Sequence, residues 1–232
     1  MRYDLLLCDL DNTLVDFDAC ERLAFASVCR SAHLPESEEY LACYSRCNLR
    51  LWLELEKGKL RQDELAVRRF EDFLRETGLQ GDPAQMNAVY MDSLSRQAVL
   101  FPETLACLRS WRECVRVMFV TNGISRVQHG RFRRMPFAEM EGEMLVSQEV
   151  GAAKPDPRML EIAMERAGVK DRRRVLVLGD SLTSDMKAAC NAGMDSCWIN
   201  RRGLPRPQNL KLTYEIRGLE EVLGILKGDE ER

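Results

Sequence analysis

Near its start the chain reads Leu5-Leu6-Leu7-Cys8-Asp9-Leu10-Asp11-Asn12, an aliphatic run that ends directly in two carboxylates. A near-continuous apolar run of this length is typical of a strand covered on both faces, as in a parallel sheet. We predict this strand over residues 3–8. Similar strands are predicted at 115–120, 175–178 and 196–199, with weaker ones at 144–146 and 213–216.

Helical patterns separate the predicted strands from about residue 100 onward. Residues 102–114 carry an apolar stripe, and Asp156-Pro157 predicts a helix N-cap followed by proline at the first helical position. This alternation predicts an α/β fold with a doubly wound parallel sheet of the Rossmann-like type. Such sheets bind ligands outside the carboxyl ends of their strands, so the residues that follow each strand are the candidate site.

A long segment without strand signals lies between the first and second strands. It is helix-like from about residue 16 to residue 97, with breaks at Pro35, Gly58, Gly78 and Gly81-Asp82-Pro83, which predicts about four helices. A crossover needs only one helix, so we interpret the segment as an inserted all-helical cap over the carboxyl edge of the sheet. We therefore assign residues 1–15 and 99–232 to the α/β core and 16–98 to the cap domain, with a frayed tail at 228–232.

Composition excludes several classes of protein. The 34 basic and 37 acidic residues give a net charge of −3, so we expect no nucleic-acid polymer as a partner. Nine cysteines without C-x-x-C spacing, with only two histidines, disfavour a disulfide framework or a zinc site and favour a reducing compartment. The apolar run before Asp9 is too short for an export signal or a membrane span, so we expect a cytoplasmic protein with no membrane partner.

Polar residues follow the predicted strands at four places. They are Asp9 with Asp11, Thr121-Asn122-Gly123, Lys154, and Asp180 with Asp185. Taken singly, each has a structural alternative: a turn aspartate, a T-N-G turn, a solvated lysine, or capping of the next helix by Asp180 or Ser184. The carboxyl ends of parallel strands meet at one edge, so we expect the four places to converge. Clustered carboxylates repel one another unless a cation holds them, which predicts a divalent cation with a phosphate beside it.

The motifs carry a resemblance. Residues 9–14 (D-L-D-N-T-L), 120–123 (V-T-N-G), 154–155 (K-P) and 179–185 (G-D-S-x-x-S-D), in this order, resemble the four motifs of the haloacid dehalogenase-like hydrolase superfamily. The position of the cap after the first motif is similar to the subclass with a helical insertion. The resemblance implies an Mg²⁺-dependent phosphomonoesterase that works through an aspartyl-phosphate.

The resemblance also implies a role for each motif residue. Asp9 would be the nucleophile, and Asp11 would protonate the leaving oxygen and then deprotonate the attacking water. The implied Mg²⁺ ligands are Asp9, the Asp11 carbonyl and Asp180, with Asp185 in direct or indirect support. Thr121, Asn122 and Lys154 would bind the phosphate. An acid at Asp11 favours phosphoryl chemistry, because a halide leaving group needs no proton.

Softer signals bear on the substrate. Several stretches resemble the noncanonical pyrimidine 5′-nucleotidases: residues 16–18, Leu51-Trp52 with Gly58, 147–151 and 196–200. This resemblance implies a pyrimidine nucleoside monophosphate as the small-molecule partner. Trp52 either stacks on the base or packs between cap helices, and Phe17 and Asn48 are further pocket candidates.

Other functions remain open at this point. A phosphatase of the same fold for a sugar phosphate or phosphoglycolate is the main alternative, and a phosphomutase is a weaker one. A catalytically retired binding or scaffold protein is the alternative of another class. We expect the arginine clusters at 131–134, 172–174 and 201–206 to form solvated surfaces, and we expect His129 to be structural.

Overall fold

A computed structural model describes residues 1–229 of the chain and contains one six-stranded parallel sheet. The spatial order of the strands is β3-β2-β1-β4-β5-β6. Their bounds are β1 Leu5–Cys8, β2 Arg116–Thr121, β3 Met144–Val146, β4 Val175–Gly179, β5 Asp195–Ile199 and β6 Tyr214–Ile216. The central strand β1 pairs with β2 on one side and β4 on the other, with Cys8 opposite Phe119 and Leu178. All six predicted strands are present, with bounds shifted by at most two residues.

Alternate residues of β1 face two different apolar layers, because successive side chains of a strand point to opposite faces. Leu5 and Leu7 pack in one cluster with Met159 and Ala188, whereas Leu6 and Cys8 pack in another with Trp111. Every residue of β1 is fully buried. A strand covered on both faces must be apolar throughout, which explains the unbroken run in the sequence. The predicted doubly wound α/β class is confirmed.

Four helices are inserted between β1 and β2. They are α1 Phe17–Ser31, α2 Glu38–Glu56, α3 Gln62–Thr77 and α4 Pro83–Leu94. Asp16, Ser37 and Asp82 cap the N-termini of α1, α2 and α4 with side-chain oxygens that accept backbone N–H groups. Gly78 ends α3 in the left-handed conformation (φ 70°), which glycine adopts without a steric cost. Five aromatic side chains of the insertion contact one another, and they are continuous with the apolar cluster on one face of the sheet: Phe25, Tyr44, Phe70, Phe73 and Tyr90.

The chain enters and leaves this insertion through two hydrogen-bonded segments. The N–H of Asp16 donates to the carbonyl of Val99 (2.9 Å), and that of Phe101 donates to the carbonyl of Leu14 (3.2 Å). Val15 and Leu100 form an antiparallel bridge between these two bonds. The division of the chain at residues 16–98 into a separate cap domain stays a prediction.

The core helices lie around the sheet. They are α5 Thr104–Arg112, α6 Ser125–Phe132, α7 Ser147–Val150, α8 Arg158–Ala167, α9 Lys187–Ala192 and α10 Val222–Lys227. The predicted start of α8 is wrong by one residue, because Pro157 is the N-cap and the helix begins at Arg158. Asp156 still satisfies an end group of this helix, since its carboxylate accepts the N–H of Arg158 (2.9 Å).

The described residues end within the predicted charged tail. Of the predicted frayed segment 228–232, residues 230–232 lie outside the described part of the chain. Within residues 1–229 there is no helix that combines the length and the apolar character needed to cross a bilayer.

Candidate active site

Three carboxylates meet at the carboxyl edge of the sheet. Asp9 directly follows β1, and its N–H still donates to the carbonyl of Leu178 in β4 (2.9 Å), so this backbone is fixed by the strand ladder. Asp180 and Asp185 follow β4. The three side chains offer ligand oxygens that all lie within 4.8 Å of one another. The structure thus brings together acids that are about 170 residues apart in the sequence.

Lys154 lies among these carboxylates and is only 2% exposed. Its Nζ donates to Asp9 Oδ1 and Asp185 Oδ1, each at 2.6 Å, and to the carbonyl of Val120 at 2.7 Å. All three ammonium hydrogens therefore have an acceptor. The alternative of a solvated surface lysine is wrong for this residue.

The electrostatics of the cluster favour a bound cation. Burial, only partly offset by Lys154, raises the pKa of Asp9 to about 7. Burial and then the Asp185 and Asp9 carboxylates raise the pKa of Asp180 well above its ordinary value. Burial alone would lower the pKa of Lys154, but the Asp185 and Asp9 carboxylates outweigh it and raise that pKa. One ammonium opposes three carboxylates, so the donor set fits a hard divalent ion such as Mg²⁺.

The turn after β4 explains how Asp185 enters the site. Ser181 Oγ accepts the N–H of Ser184 (3.1 Å), and Asp185 Oδ2 accepts the N–H of Ser181 (3.1 Å). The N-cap of this turn is therefore Ser181, and capping by Asp180 or Ser184 is wrong. Gly179 provides the space, because a Cβ at this position would lie 2.4 Å from Asp185 Oδ2.

Thr121 and Asn122 stand at the end of β2, beside the lysine. The Thr121 side chain is buried, and its Oγ1 accepts the N–H of Gly123 and the side-chain Nε2 of Gln128, each at 3.0 Å. The Asn122 side-chain amide binds the backbone of Lys154 in both directions. Both polar atoms of this side chain are therefore used to hold the Lys154 loop. The group of Asn122 that is left to contact a phosphate is its backbone N–H.

Asp11 is held by two residues that the sequence interpretation did not assign to the site. Its Oδ1 accepts Arg131 Nη1 at 2.6 Å, and its Oδ2 accepts Gln128 Nε2 at 2.7 Å. Arg131 has no exposed surface, so its placement on a solvated surface was wrong. Arg201 also departs from that expectation, because it pairs with Glu103 at 2.7 Å and lies over the Phe101 ring.

A small cavity of about 30 Å³ lies between the insertion and the core, next to Asp11. All three predicted pocket residues, Phe17, Asn48 and Trp52, line it. Trp52 also packs against Leu51 and its apolar neighbours, so the packing alternative holds for part of its surface.

Asn48 has an orientation fixed by Glu21, a buried acid not anticipated from the sequence. Its Nδ2 donates to Glu21 Oε1 (2.9 Å), and Ser45 donates to the other oxygen of the same carboxylate. Because Nδ2 is the atom that contacts Glu21, Asn48 Oδ1 is turned away from that side chain. Within residues 1–229 this buried Oδ1 has no hydrogen-bond partner. An acceptor without a partner at a cavity wall is ready to bind a donor on a ligand.

A second cluster of metal-type side chains occurs in the insertion. The ligand atoms of Cys43, Cys47 and Glu76 lie within 4.8 Å of one another. Glu76 is already paired with Arg50 (3.1 Å), and burial raises the thiol pKa of both cysteines. Protonated thiols are poor metal ligands, so the carboxylate cluster at the sheet edge is the candidate metal site.

Comparison with known protein families supports the assignment suggested by the fold and the motifs. Residues 3–193 match the family model of the haloacid dehalogenase-like hydrolases. The chain belongs to this family. As a haloacid dehalogenase-like hydrolase it is an enzyme, and the family resemblance of the four motifs is confirmed.

Relatives of this hydrolase match over nearly the whole chain. The HAD-hydrolase YfnB of Bacillus subtilis is 33% identical, over 97% of this chain and 96% of its own. The pyrimidine 5′-nucleotidase YjjG of Escherichia coli is 28% identical over 97% and 99% of the two chains, and the pyrimidine 5′-nucleotidase PynA of Streptococcus pneumoniae is 29% identical over 97% and 96%. A crystal structure of YfnB bound to magnesium superposes with a TM-score of 0.91, covering 97% of this chain and 99% of the YfnB chain.

Proposed function

We propose that this hydrolase is an Mg²⁺-dependent phosphomonoesterase that works through an aspartyl-phosphate on Asp9. The observation that carries the proposal is the convergence of Asp9, Asp180 and Asp185 around Lys154. The carboxylates of Asp9 and Asp180 and the main-chain carbonyl of Asp11 would hold Mg²⁺, and Asp185 would assist directly or by binding Lys154. When bound, the ion neutralises phosphate charge and so permits the approach of an anionic nucleophile.

The chain's own residues would carry the two half-reactions. A carboxylate oxygen of Asp9 attacks the phosphorus, the bond from phosphorus to the ester oxygen breaks, and Asp11 gives its proton to that oxygen. Asp11 then takes a proton from the water that attacks the aspartyl-phosphate, which releases inorganic phosphate and restores Asp9. Lys154, Thr121 and the backbone N–H of Asn122 would stabilise the charge that spreads over the phosphate oxygens.

The proposed substrate is a pyrimidine nucleoside monophosphate. Two relatives that match 97% of this chain are named pyrimidine 5′-nucleotidases. The cavity beside Asp11 combines an aromatic wall at Trp52 and Phe17 with the fixed acceptor Asn48 Oδ1. A planar base with polar edges uses both kinds of surface, since rings stack on aromatics and donors bind acceptors. At about 30 Å³ the cavity is smaller than a base, so the residues that line it must rearrange to admit one.

A substrate panel tests this proposal. The purified protein with Mg²⁺ is assayed for phosphate release from UMP, dUMP, dTMP and CMP, and from AMP, phosphoglycolate and sugar phosphates. We expect the pyrimidine nucleotides to have the highest kcat/KM. Preference for phosphoglycolate or a sugar phosphate would replace the nucleotide substrate with the alternative substrate class. Absence of phosphate release from every ester would reject the phosphatase proposal.

A further inference from the structure

Both carboxylate oxygens of Asp11 are occupied by side chains of one helix. Arg131 binds Oδ1 and Gln128 binds Oδ2, and these residues are three apart on α6, so they project from the same side of that helix. The two contacts fix the carboxylate plane as well as its position. Gln128 also donates to Thr121 Oγ1, which ties Asp11 to the strand end that would bind phosphate.

Arg131 connects this carboxylate to both ends of the helical insertion. Its Nε donates to the carbonyl of Gln97 (3.1 Å), in the segment through which the chain returns from α4 to the core. Its guanidinium carbon lies 5.8 Å from the ring centroid of Phe17, the first residue of α1. The same guanidinium therefore contacts Asp11, the outgoing segment and the returning segment.

Gln128 depends on a glycine for its position. A Cβ on Gly123 would lie only 2.0 Å from Gln128 Nε2, so the amide occupies the space in which any other residue would place its side chain. Gln128 itself is 1% exposed. In this enclosed position Gln128 Nε2 donates to both Asp11 Oδ2 and Thr121 Oγ1.

We infer that Arg131 and Gln128 are positioning residues that set the place of the Asp11 carboxylate at the ester oxygen of the substrate. This inference rests on the proposed function, in which Asp11 moves the proton to and from the reacting oxygens. Arg131 also keeps that carboxylate in a fixed relation to the two segments that carry the insertion. Both residues line the cavity next to Asp11, so they stand where the leaving group would lie.

A purely structural role makes a different prediction. A buried arginine–aspartate pair that serves folding alone would affect every ester equally when it is lost. A positioning role affects most strongly those esters whose leaving oxygen needs a proton. Uridine leaves as an alcohol and needs that proton, whereas p-nitrophenolate is stable as an anion.

The test uses Arg131→Met, with Arg133→Met as the matched control. Arg133 also lies at the end of α6 but is exposed and pairs with Glu141. Formation of the aspartyl-phosphate is followed as the first burst of released uridine from UMP, or of p-nitrophenolate from p-nitrophenyl phosphate. For Arg131→Met we expect the uridine burst to slow on the order of 10²-fold with KM changed less than about threefold, and the p-nitrophenolate burst to slow less than about fivefold. Arg133→Met keeps both bursts.

Gln128→Met provides a second variant in case Arg131→Met does not fold. It keeps the length of the side chain, removes the donor to Asp11 Oδ2 and to Thr121 Oγ1, and leaves the ion pair in place. We expect the same preference for the activated ester, at roughly tenfold. Equal slowing of both esters, or wild-type uridine release, in the variants that fold would overturn the inference.

If neither variant folds, the pair serves folding and the positioning role is rejected. Inactivity of the wild type on all esters is a distinct result, because it rejects the proposed function itself. If the wild type prefers another alkyl phosphate, that ester replaces UMP in the same comparison.

Discussion

The Asn122 side chain and the Lys154 backbone bind each other through two hydrogen bonds. Asn122 Nδ2 donates to the carbonyl of Lys154 (2.7 Å), and the N–H of Lys154 donates to Asn122 Oδ1 (2.9 Å). One amide side chain thus satisfies both backbone groups of the residue whose ammonium lies between Asp9 and Asp185. The end of β2 thereby fixes the lysine loop in the site.

Asn122→Asp tests this pairing with the smallest possible change. The carboxylate keeps the acceptor for the Lys154 N–H but faces the Lys154 carbonyl with an oxygen instead of a donor. We expect a loss of about 1–3 kcal/mol in the free energy of unfolding, measured by urea denaturation, together with reduced activity. Asn191→Asp is the control, because Asn191 donates to the carbonyl of the neighbouring Pro155 (3.0 Å) from an exposed position. Equal losses in the two variants would contradict the expectation.

Asp9→Asn should abolish turnover of every phosphate ester. The neutral amide cannot attack phosphorus, so we expect kcat to fall by at least about 10³-fold. The side chain keeps its size, and near-UV circular dichroism should show a native fold. Asp171→Asn serves as the control, since Asp171 lies in an exposed turn before β4, at the opposite end of that strand from Asp180. Full activity of Asp9→Asn would remove Asp9 from the role of nucleophile.

Asp180→Asn should stabilise the metal-free protein while it weakens Mg²⁺ binding. Burial and the neighbouring Asp185 and Asp9 carboxylates raise the pKa of Asp180, so its charged form costs stability near neutral pH. In EDTA we therefore expect a higher Tm than for the wild type. Added MgCl₂ should raise the Tm of the wild type. At one hundred times Kd, the free energy of unfolding should increase by about 2.7 kcal/mol. The Tm of the variant should rise much less. EDTA should stop wild-type turnover, and activity that persists in EDTA would reject the metal proposal.

Asn48→Ala should weaken the binding of nucleotides selectively. The variant removes Asn48 Oδ1, the acceptor that Glu21 orients. We expect KM for UMP to rise roughly tenfold, which corresponds to a loss of about 1.4 kcal/mol of binding free energy. The kcat/KM for p-nitrophenyl phosphate should stay within about twofold of wild type. Ser45→Ala is matched, since it removes the other side-chain hydrogen bond to Glu21 but does not line the cavity. A parallel loss on both esters would show that Asn48 acts through the fold.

His129 should make stability depend on pH. Its ring nitrogens each lie 2.7 Å from a carboxylate oxygen, of Glu141 and Glu149. Burial alone would lower the histidine pKa, but the hydrogen bonds to these acids raise it above the ordinary 6.5. The stabilisation is therefore complete below about pH 6.5 and is lost as pH rises through the higher folded pKa. We expect His129→Gln to cost roughly 0.5–1 kcal/mol at about pH 5.5 and close to nothing at about pH 9, by urea denaturation. A constant difference between these pH values would contradict this.

The strands of the sheet and the edge at which they end were predictable, because strands buried on both faces are continuous apolar runs in the sequence. A strand such as Leu5–Cys8 must be apolar throughout, and its end is marked by the first charged residue. Parallel topology then brings Asp9 and Asp180 to one edge without further information. The family motifs identified the candidate residues. The structure explains their spacing, because each motif follows a different strand of the same parallel sheet.

The partners of Asp11, which are Arg131 and Gln128, were not predicted because the local sequence around them is rich in charged residues. Arg131 stands in a run with Arg133 and Arg134 that has the composition of a solvated surface. The helical phase separates them: Arg131 follows buried Val127 by four residues, so it shares the inward face of α6. The spacing from Val127 therefore predicts that Arg131 faces inward, but it does not predict that its partner is Asp11.

The hydrogen bonds Asp16–Val99 and Leu14–Phe101 hold together the two ends of the helical insertion. They bring together the two ends of the 82-residue segment 17–98, so local hydrogen bonds close this long loop. We therefore expect changes in the length of the segment between these residues to leave the pairing of the sheet strands in place. Because Arg131 contacts both Phe17 and Asp11, substitutions at the base of the insertion are expected to affect the chemistry as well as the choice of substrate.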